Sequence, residues 1–176
     1  MKTLRLICTY KCDRNCEGCC NKQDNFTSDN VPDFNLSYYD YDEIIITGGE
    51  PMLFPDGIRG IASIARYQNP DARMILYTAK TTPIEEFEHM LRYFDGITLT
   101  IHDQADVDDF LRLHFHLKRI QRWIQDNNKS MRLNIFKGVN VVLQRGHFWQ
   151  IKDNIEWIPD CPLPSNESIA KLKYLF

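Results

Sequence analysis

Four of the six cysteines fall within nine residues, CDRNCEGCC at 12–20. Cys12, Cys16 and Cys19 read C-x-x-x-C-x-x-C, a compact loop able to turn three thiolates toward one centre, as iron–sulfur clusters and zinc both require. Three protein ligands leave one coordination position open, and an open position is what metal-centred chemistry needs. A structural zinc knot needs a fourth ligand, but His89, His102, His114, His116 and His147 all lie far downstream, none at finger-like spacing. Cys20 could replace Cys19 in a C-x-x-x-C-x-x-x-C pattern, although the shorter spacing is the preferred reading. Cys8 lies inside an apolar run and reads as a small buried hydrophobe. Cys161, in PDCPLP, reads as a packed thiol in a proline-fixed turn or as a hydrogen donor in a site.

A second unusual stretch is GGEP at 48–51. Gly48 and Gly49 permit close backbone approach to a ligand and freedom in φ, Glu50 offers a carboxylate to an ammonium group, and Pro51 closes the run. Standing alone, the same four residues describe an ordinary strand-to-helix turn.

The elements that must position these residues alternate apolar, β-branched runs with amphipathic ones, the rhythm of βα units around a parallel sheet. TLRLICT (3–9) is the first strand and EIIITGG (43–49) the second, its unbroken hydrophobicity suiting a strand covered on both faces. DGIRGIASIARYQ (56–68) spaces Ile58, Ile61, Ile64 and Ala65 as a helix. RMILYT (73–78) is a third strand, TPIEEFEHMLRYF a helix that Pro83 starts, and GITLTIHD (96–103) a fourth strand. A long helix is expected from Asp106 to Asn127, with acidic residues in its first turns as the macrodipole prefers. MRLNIF and VNVVL (131–143) predict a hairpin or one bulged strand, IKDNIEWIPDCPLP a short strand or turn, and NESIAKLKYLF a terminal helix. The fold class expected is therefore α/β, an abbreviated partial (β/α) barrel of about five to six mostly parallel strands, or else a doubly wound sheet. In either, ligands collect beyond the carboxyl ends of the strands. The cysteine run follows the first strand and GGEP the second, which places both at one rim.

Composition bounds the rest. The chain has 176 residues, 43% hydrophobic and 12% aromatic, enough for one domain over 1–176 with a real core. Its net charge of −3 and scattered cations argue against an electrostatic nucleic-acid binder. No stretch approaches the ~20 apolar residues of a membrane span, and Arg5 interrupts the opening apolar run, unlike a signal peptide. A cytoplasmic protein is expected, in which clustered cysteines read as metal ligands or catalytic thiols more readily than as disulfides. His114 and His116 sit two apart on a helix and face different directions, so solvated or capping roles are expected rather than a metal pair. YYDYD (38–42) reads as a surface turn leading into the second strand.

With CDRNCEGC after a first strand and GGE after a second, the chain resembles the radical SAM superfamily, sharply at those two motifs and in pattern over residues 3–143. The resemblance implies that Cys12, Cys16 and Cys19 bind a 4Fe-4S cluster whose open iron chelates S-adenosylmethionine. It implies that Gly48, Gly49, Glu50 and Pro51 bind that cofactor, with Glu50 on the methionyl amine, and that Thr78, Thr100 and His102 supply polar groups for its carboxylate and ribose. It also implies an electron donor such as flavodoxin or ferredoxin. Many family members carry an aromatic residue immediately before the third cysteine, against which adenine packs; here it is Gly18. NCEGCCNK (15–22) is similar to a stretch of the anaerobic ribonucleotide reductase activating enzymes, with Cys20 in place of their aromatic, which implies a larger glycyl-radical enzyme as partner. The absence of a capping segment over the sheet suits a protein substrate. The alternatives are a small-molecule synthase acting on a purine or deazapurine derivative, and a non-catalytic iron–sulfur or zinc module. The three remaining cysteines cannot supply a four-cysteine auxiliary cluster.

Overall fold

The computed structural model describes residues 1–176 apart from Leu36 and Leu175. The chain forms two compact units, residues 1–76 with 157–176 and residues 77–156. The fold is α/β, and the strand pairings described below are all parallel, with neither unit closing into a barrel.

In the first unit, β1 (Thr3–Thr9) lies between β2 (Glu43–Gly48) and β7 (Glu167–Lys171), and β2 pairs on its other side with the start of β3 (Arg73–Thr78). Leu4, Leu6, Ile44 and Ile46 are fully buried, as continuous β-branched and leucine-rich strands covered on both faces require. Helix α1 (Pro55–Gln68) buries Ile58, Ile61, Ala62 and Ala65, the i, i+3, i+4, i+7 stripe of an amphipathic helix. Ile64, expected on that stripe, is exposed, because it falls one position outside it.

Over its described residues, the segment NESIAKLKYLF is not the terminal helix expected, and Leu175 lies outside them. Residues 167–171 pair in parallel register with Thr3–Ile7 of β1. Without that pairing the amides and carbonyls along this side of β1 would lack strand partners. The outer edge of β7 is itself covered by residues 31–34, with Lys171 N–H on the Pro32 carbonyl at 2.9 Å and Phe34 N–H on the Lys171 carbonyl at 2.7 Å. YYDYD also differs from a plain surface turn: Tyr38 is buried against Phe34, ring centroids 4.7 Å apart. Burial, followed by the neighbouring Cys8, pushes its phenol up to about 12.

In the second unit, β4 (Gly96–Ile101), β5 (Ser130–Phe136) and β6 (Gln150–Ile155) pair in sequence order. The helices are α2 (Ile84–Met90), α3 (Val107–Lys118) and α4 (Gln121–Asp126). The single helix expected over 106–127 is thus two: Arg119 and Ile120 bond back three residues, to His116 and Leu117, closing α3 before α4 begins. VNVVL is neither a hairpin arm nor a continuation of β5. It lies in the connection between β5 and β6, which parallel pairing makes obligatory and which a two-residue hairpin turn cannot supply. Its Val142 is exposed. Among the described residues β6 and β7 bring the strand count to seven, one or two more than expected.

A candidate metal and cofactor site on the cysteine loop

The first unit places the two motifs side by side, and the cause is local. At the carboxyl ends of β1 and β2 the parallel register slips between Ile7 and Thr9, leaving Thr9 opposite Gly48. Beyond that irregularity the two chains are stitched by backbone hydrogen bonds: Gly49 N–H to the Thr9 carbonyl at 2.7 Å, and Glu50 N–H to the Lys11 carbonyl at 2.8 Å. Lys11 immediately precedes Cys12. A side chain has no room in this seam. Gly48 has φ +129°, a region L residues rarely enter, and a Cβ on Gly49 would lie 2.7 Å from the Lys11 carbonyl carbon and 2.8 Å from that of Tyr10.

Glu50 is buried, with 1% of its surface exposed. Its carboxylate accepts the Met52 N–H at 2.9 Å, capping the short 3-10 turn Pro51–Leu53 in which Pro51 is also buried. The same charge reaches the cysteine loop. Burial pushes the Cys12 thiol up, the Arg14 N–H opposes it from 3.4 Å, and Glu50, Asp13 and Cys19 add to the rise. Burial likewise raises Cys16, with Cys19 and Cys12 contributing and Arg14 and Lys22 opposing. Cys12, Cys16 and Cys19 are therefore electrostatic neighbours on one loop, all three free thiols and none fully buried.

Among the described residues no three His, Cys, Asp or Glu side chains are already drawn together as a metal-binding group. The donor set nonetheless fits one. Three accessible thiols on one loop suit iron–sulfur clusters and zinc, and a backbone N–H already points at the Cys12 sulfur. The loop has its own clamp in Lys22, whose ammonium donates to Asn15 Oδ1 and to the Cys16 carbonyl, both at 2.7 Å.

Thr78, Thr100 and His102 belong to the second unit. Thr78 closes β3 with its hydroxyl accepting the Lys80 N–H at 2.9 Å, the turn-capping role such a residue commonly takes. Thr100 is half-buried near the end of β4. His102 donates its backbone N–H to Asp106 at 3.4 Å, and its ring lies 4.8 Å from that of Phe136.

The remaining cysteines divide sharply. Cys8 is fully buried in β1, as its strand position implies, and burial drives its thiol far above the usual range. Cys20 and Cys161 form a disulfide, with Cα atoms 5.7 Å apart and 141 residues between them in sequence. This overturns both the reading of Cys20 as an alternative to Cys19 and that of Cys161 as a packed thiol. Within the cluster it corrects the expectation of metal ligands or catalytic thiols over disulfides for Cys20 alone, since Cys12, Cys16 and Cys19 remain free thiols. The signal missed was pairing at long range, which spacing within one loop cannot carry.

Two further residues escape a sequence reading. Trp157 lies against Gly18, where a Cβ would come within 2.6 Å of the indole. His114, expected in solvent or at a cap, is buried and accepts the Trp149 indole N–H at 3.2 Å. His116 faces elsewhere, its Nε2 at 2.5 Å from Glu88. The two histidines are thus no metal pair.

No protein-family model matches the chain, and no curated protein matches it.

Proposed function

We propose that this chain is a radical SAM enzyme, in which Cys12, Cys16 and Cys19 hold a 4Fe-4S cluster and the GGEP turn binds S-adenosylmethionine. The observation that carries the reading is the seam between the two motifs, the paired bonds Gly49 to Thr9 and Glu50 to Lys11. It sets a buried carboxylate beside the first cysteine of a three-thiol loop, an arrangement a plain strand-to-helix turn does not need. Cys12, Cys16 and Cys19 would hold the cluster, which when bound would supply the electron for reductive cleavage of S-adenosylmethionine and so the radical chemistry that removes a hydrogen from the substrate.

The chain's own residues would prepare that event. The three thiols bind as thiolates and release their protons on loading. Glu50 accepts hydrogen bonds from the methionyl ammonium, a charged pair strengthened by its low-dielectric setting. Gly48 and Gly49 leave the backbone bare where the cofactor approaches, and Lys22 holds the loop's turn through Asn15 and the Cys16 carbonyl. The similarity of NCEGCCNK to activating enzymes supports a glycyl-radical enzyme as the hydrogen source, with flavodoxin or ferredoxin as electron donor. A non-catalytic iron–sulfur or zinc module is the second reading, favoured by the structural duty Glu50 already performs as a cap.

The test is anaerobic reconstitution. Wild type should carry about four irons, as a single cubane requires. Changing Cys12, Cys16 or Cys19 to Ala should abolish this, and Cys8→Ala should leave it. Reductant and S-adenosylmethionine should then give 5′-deoxyadenosine, slowly alone and faster with a cognate glycyl-radical enzyme, which acquires a radical visible by paramagnetic resonance. Acceleration by a small metabolite instead would replace the activating role. Full iron content in Cys16→Ala would overturn the cluster assignment, and cluster without any deoxyadenosine would favour the non-catalytic module.

A further inference from the structure

The first unit carries a covalent link that the proposed chemistry does not use. Cys20 adjoins Cys19, the last cysteine of the loop triad, and its disulfide partner Cys161 sits in the proline-rich strap WIPDCPLP, residues 157–164. The strap meets the loop at two other points. Trp157 lies over Gly18, and the Asn25 amide donates to the Asp160 carbonyl at 3.2 Å. The strap's turn is tight, with Asp160 and Cys161 at φ 59° and 39° and the Cys161 N–H on the Ile158 carbonyl at 3.2 Å. The disulfide is thus the covalent tie between the strap and the segment 18–25, with the Trp157 and Asn25 contacts beside it.

The two residues differ in exposure. Cys20 is half-buried and Cys161 only 9% exposed. Exchange proceeds by thiolate attack on a reachable sulfur, and the more exposed residue of the pair is Cys20.

From this arrangement we infer that Cys20 and Cys161 are a reversible thiol–disulfide site that latches the strap 157–164 onto the cysteine loop when oxidised and releases it when reduced. Its exchange partner is a thiol–disulfide couple such as glutathione or a protein dithiol. In the reductive direction, a partner thiolate attacks Cys20 Sγ, forms a mixed disulfide there and expels the Cys161 thiolate. A second partner thiolate then takes the first sulfur, leaving the Cys20 thiolate and the partner as disulfide. Two electrons pass to the protein, and two protons complete the free thiols. Oxidation runs the same steps backward with a disulfide as oxidant. Reduction removes the covalent tie and leaves non-covalent contacts, Trp157 on Gly18 and Asn25 on Asp160 among them, from which a surface segment can open locally. The inference stands on these two cysteines and not on the cluster reading.

The full chain, equilibrated anaerobically in glutathione disulfide or in dithiothreitol, is alkylated and mapped by mass spectrometry, and in parallel digested briefly with chymotrypsin. In the oxidising buffer Cys20 and Cys161 should be joined to each other. In the reducing buffer both should alkylate, and cleavage after Trp157 should accelerate by about tenfold or more, as expected for a segment freed to open. Limiting glutathione should leave a mixed disulfide on Cys20 rather than on Cys161. Cys161→Ser should cleave at the fast rate in both buffers, and Cys8→Ser should behave as wild type. Pairing of Cys20 with Cys12, Cys16 or Cys19, a Cys20 that stays a thiol in glutathione disulfide, or equal cleavage rates in wild type in the two buffers would each overturn the inference. Iron content measured on separately reconstituted protein reports on the other three cysteines, so failure of the cluster reading and failure of the latch are told apart.

Discussion

Replacing Gly49 with Ala should damage this protein far more than one methyl group usually does. The added Cβ would meet the carbonyl carbons of Lys11 and Tyr10 at 2.7 and 2.8 Å, atoms of backbone rather than of flexible side chains. Relief requires the β2 end to move away from the β1 end, and the bonds that hold them, Gly49 to Thr9 at 2.7 Å and Glu50 to Lys11 at 2.8 Å, stretch or break. Two backbone hydrogen bonds at about 0.5–1.5 kcal/mol each, with about 1–3 kcal/mol for overpacking, give at least about 2 kcal/mol of destabilisation. For a chain of this length that is about 4–8 °C in Tm. Gly60→Ala is the matched control: Gly60 lies in α1, and its Cβ would meet nothing within 4 Å. There the loss of backbone freedom in the unfolded chain should raise stability by about 0.5–1 kcal/mol. The assay is differential scanning calorimetry with urea denaturation on both variants. A Gly49→Ala protein melting within a degree of wild type would refute the seam, and with it the positioning of Glu50 beside the cysteines.

Other expectations follow from the same contacts. Glu50→Gln keeps an oxygen for the Met52 N–H and most of the side-chain volume but removes the charge. It should weaken S-adenosylmethionine binding by about 1.5–3 kcal/mol, or about 10- to 150-fold by calorimetry, while iron content and Tm hold; unchanged affinity removes Glu50 from the cofactor site. Lys22→Met deletes two 2.7 Å bonds across the cysteine loop and should speed iron loss to a chelator by about tenfold or more; an unchanged rate means the loop is held by other contacts. Burial, then Lys118 and His147, holds His114 below its ordinary 6.5. The unfolded chain therefore binds a proton at higher pH than the folded one, so stability is full above that value and falls as pH drops through 6.5. The slope is at most about 1.4 kcal/mol per pH unit, and His114→Gln should flatten it just below pH 6.5; an identical slope in the variant would assign the pH dependence elsewhere.

Much of this was legible in the residues themselves. β1 and β3 appear in the structure at the bounds their composition implies, Thr3–Thr9 and Arg73–Thr78, because short, mostly apolar runs between turn signals bury themselves most readily as strands. The three cysteines and GGEP are local patterns, and position after a strand was enough to place them at one end of neighbouring strands. What the sequence could not determine depends on partners distant along the chain. Residues 167–171 have no strong strand pattern and become β7 because β1 accepts them. Cys20 meets Cys161 across 141 residues, and Trp157 covers Gly18 only because the strap between β6 and β7 crosses the loop. His114 is apolar in its surroundings, though not in its type, because Trp149 supplies a donor for its ring nitrogen. Local periodicity reports which face of a segment seeks burial; which segment satisfies it, and which sulfur lies within bonding reach of another, is decided only when the tertiary structure brings distant backbone together.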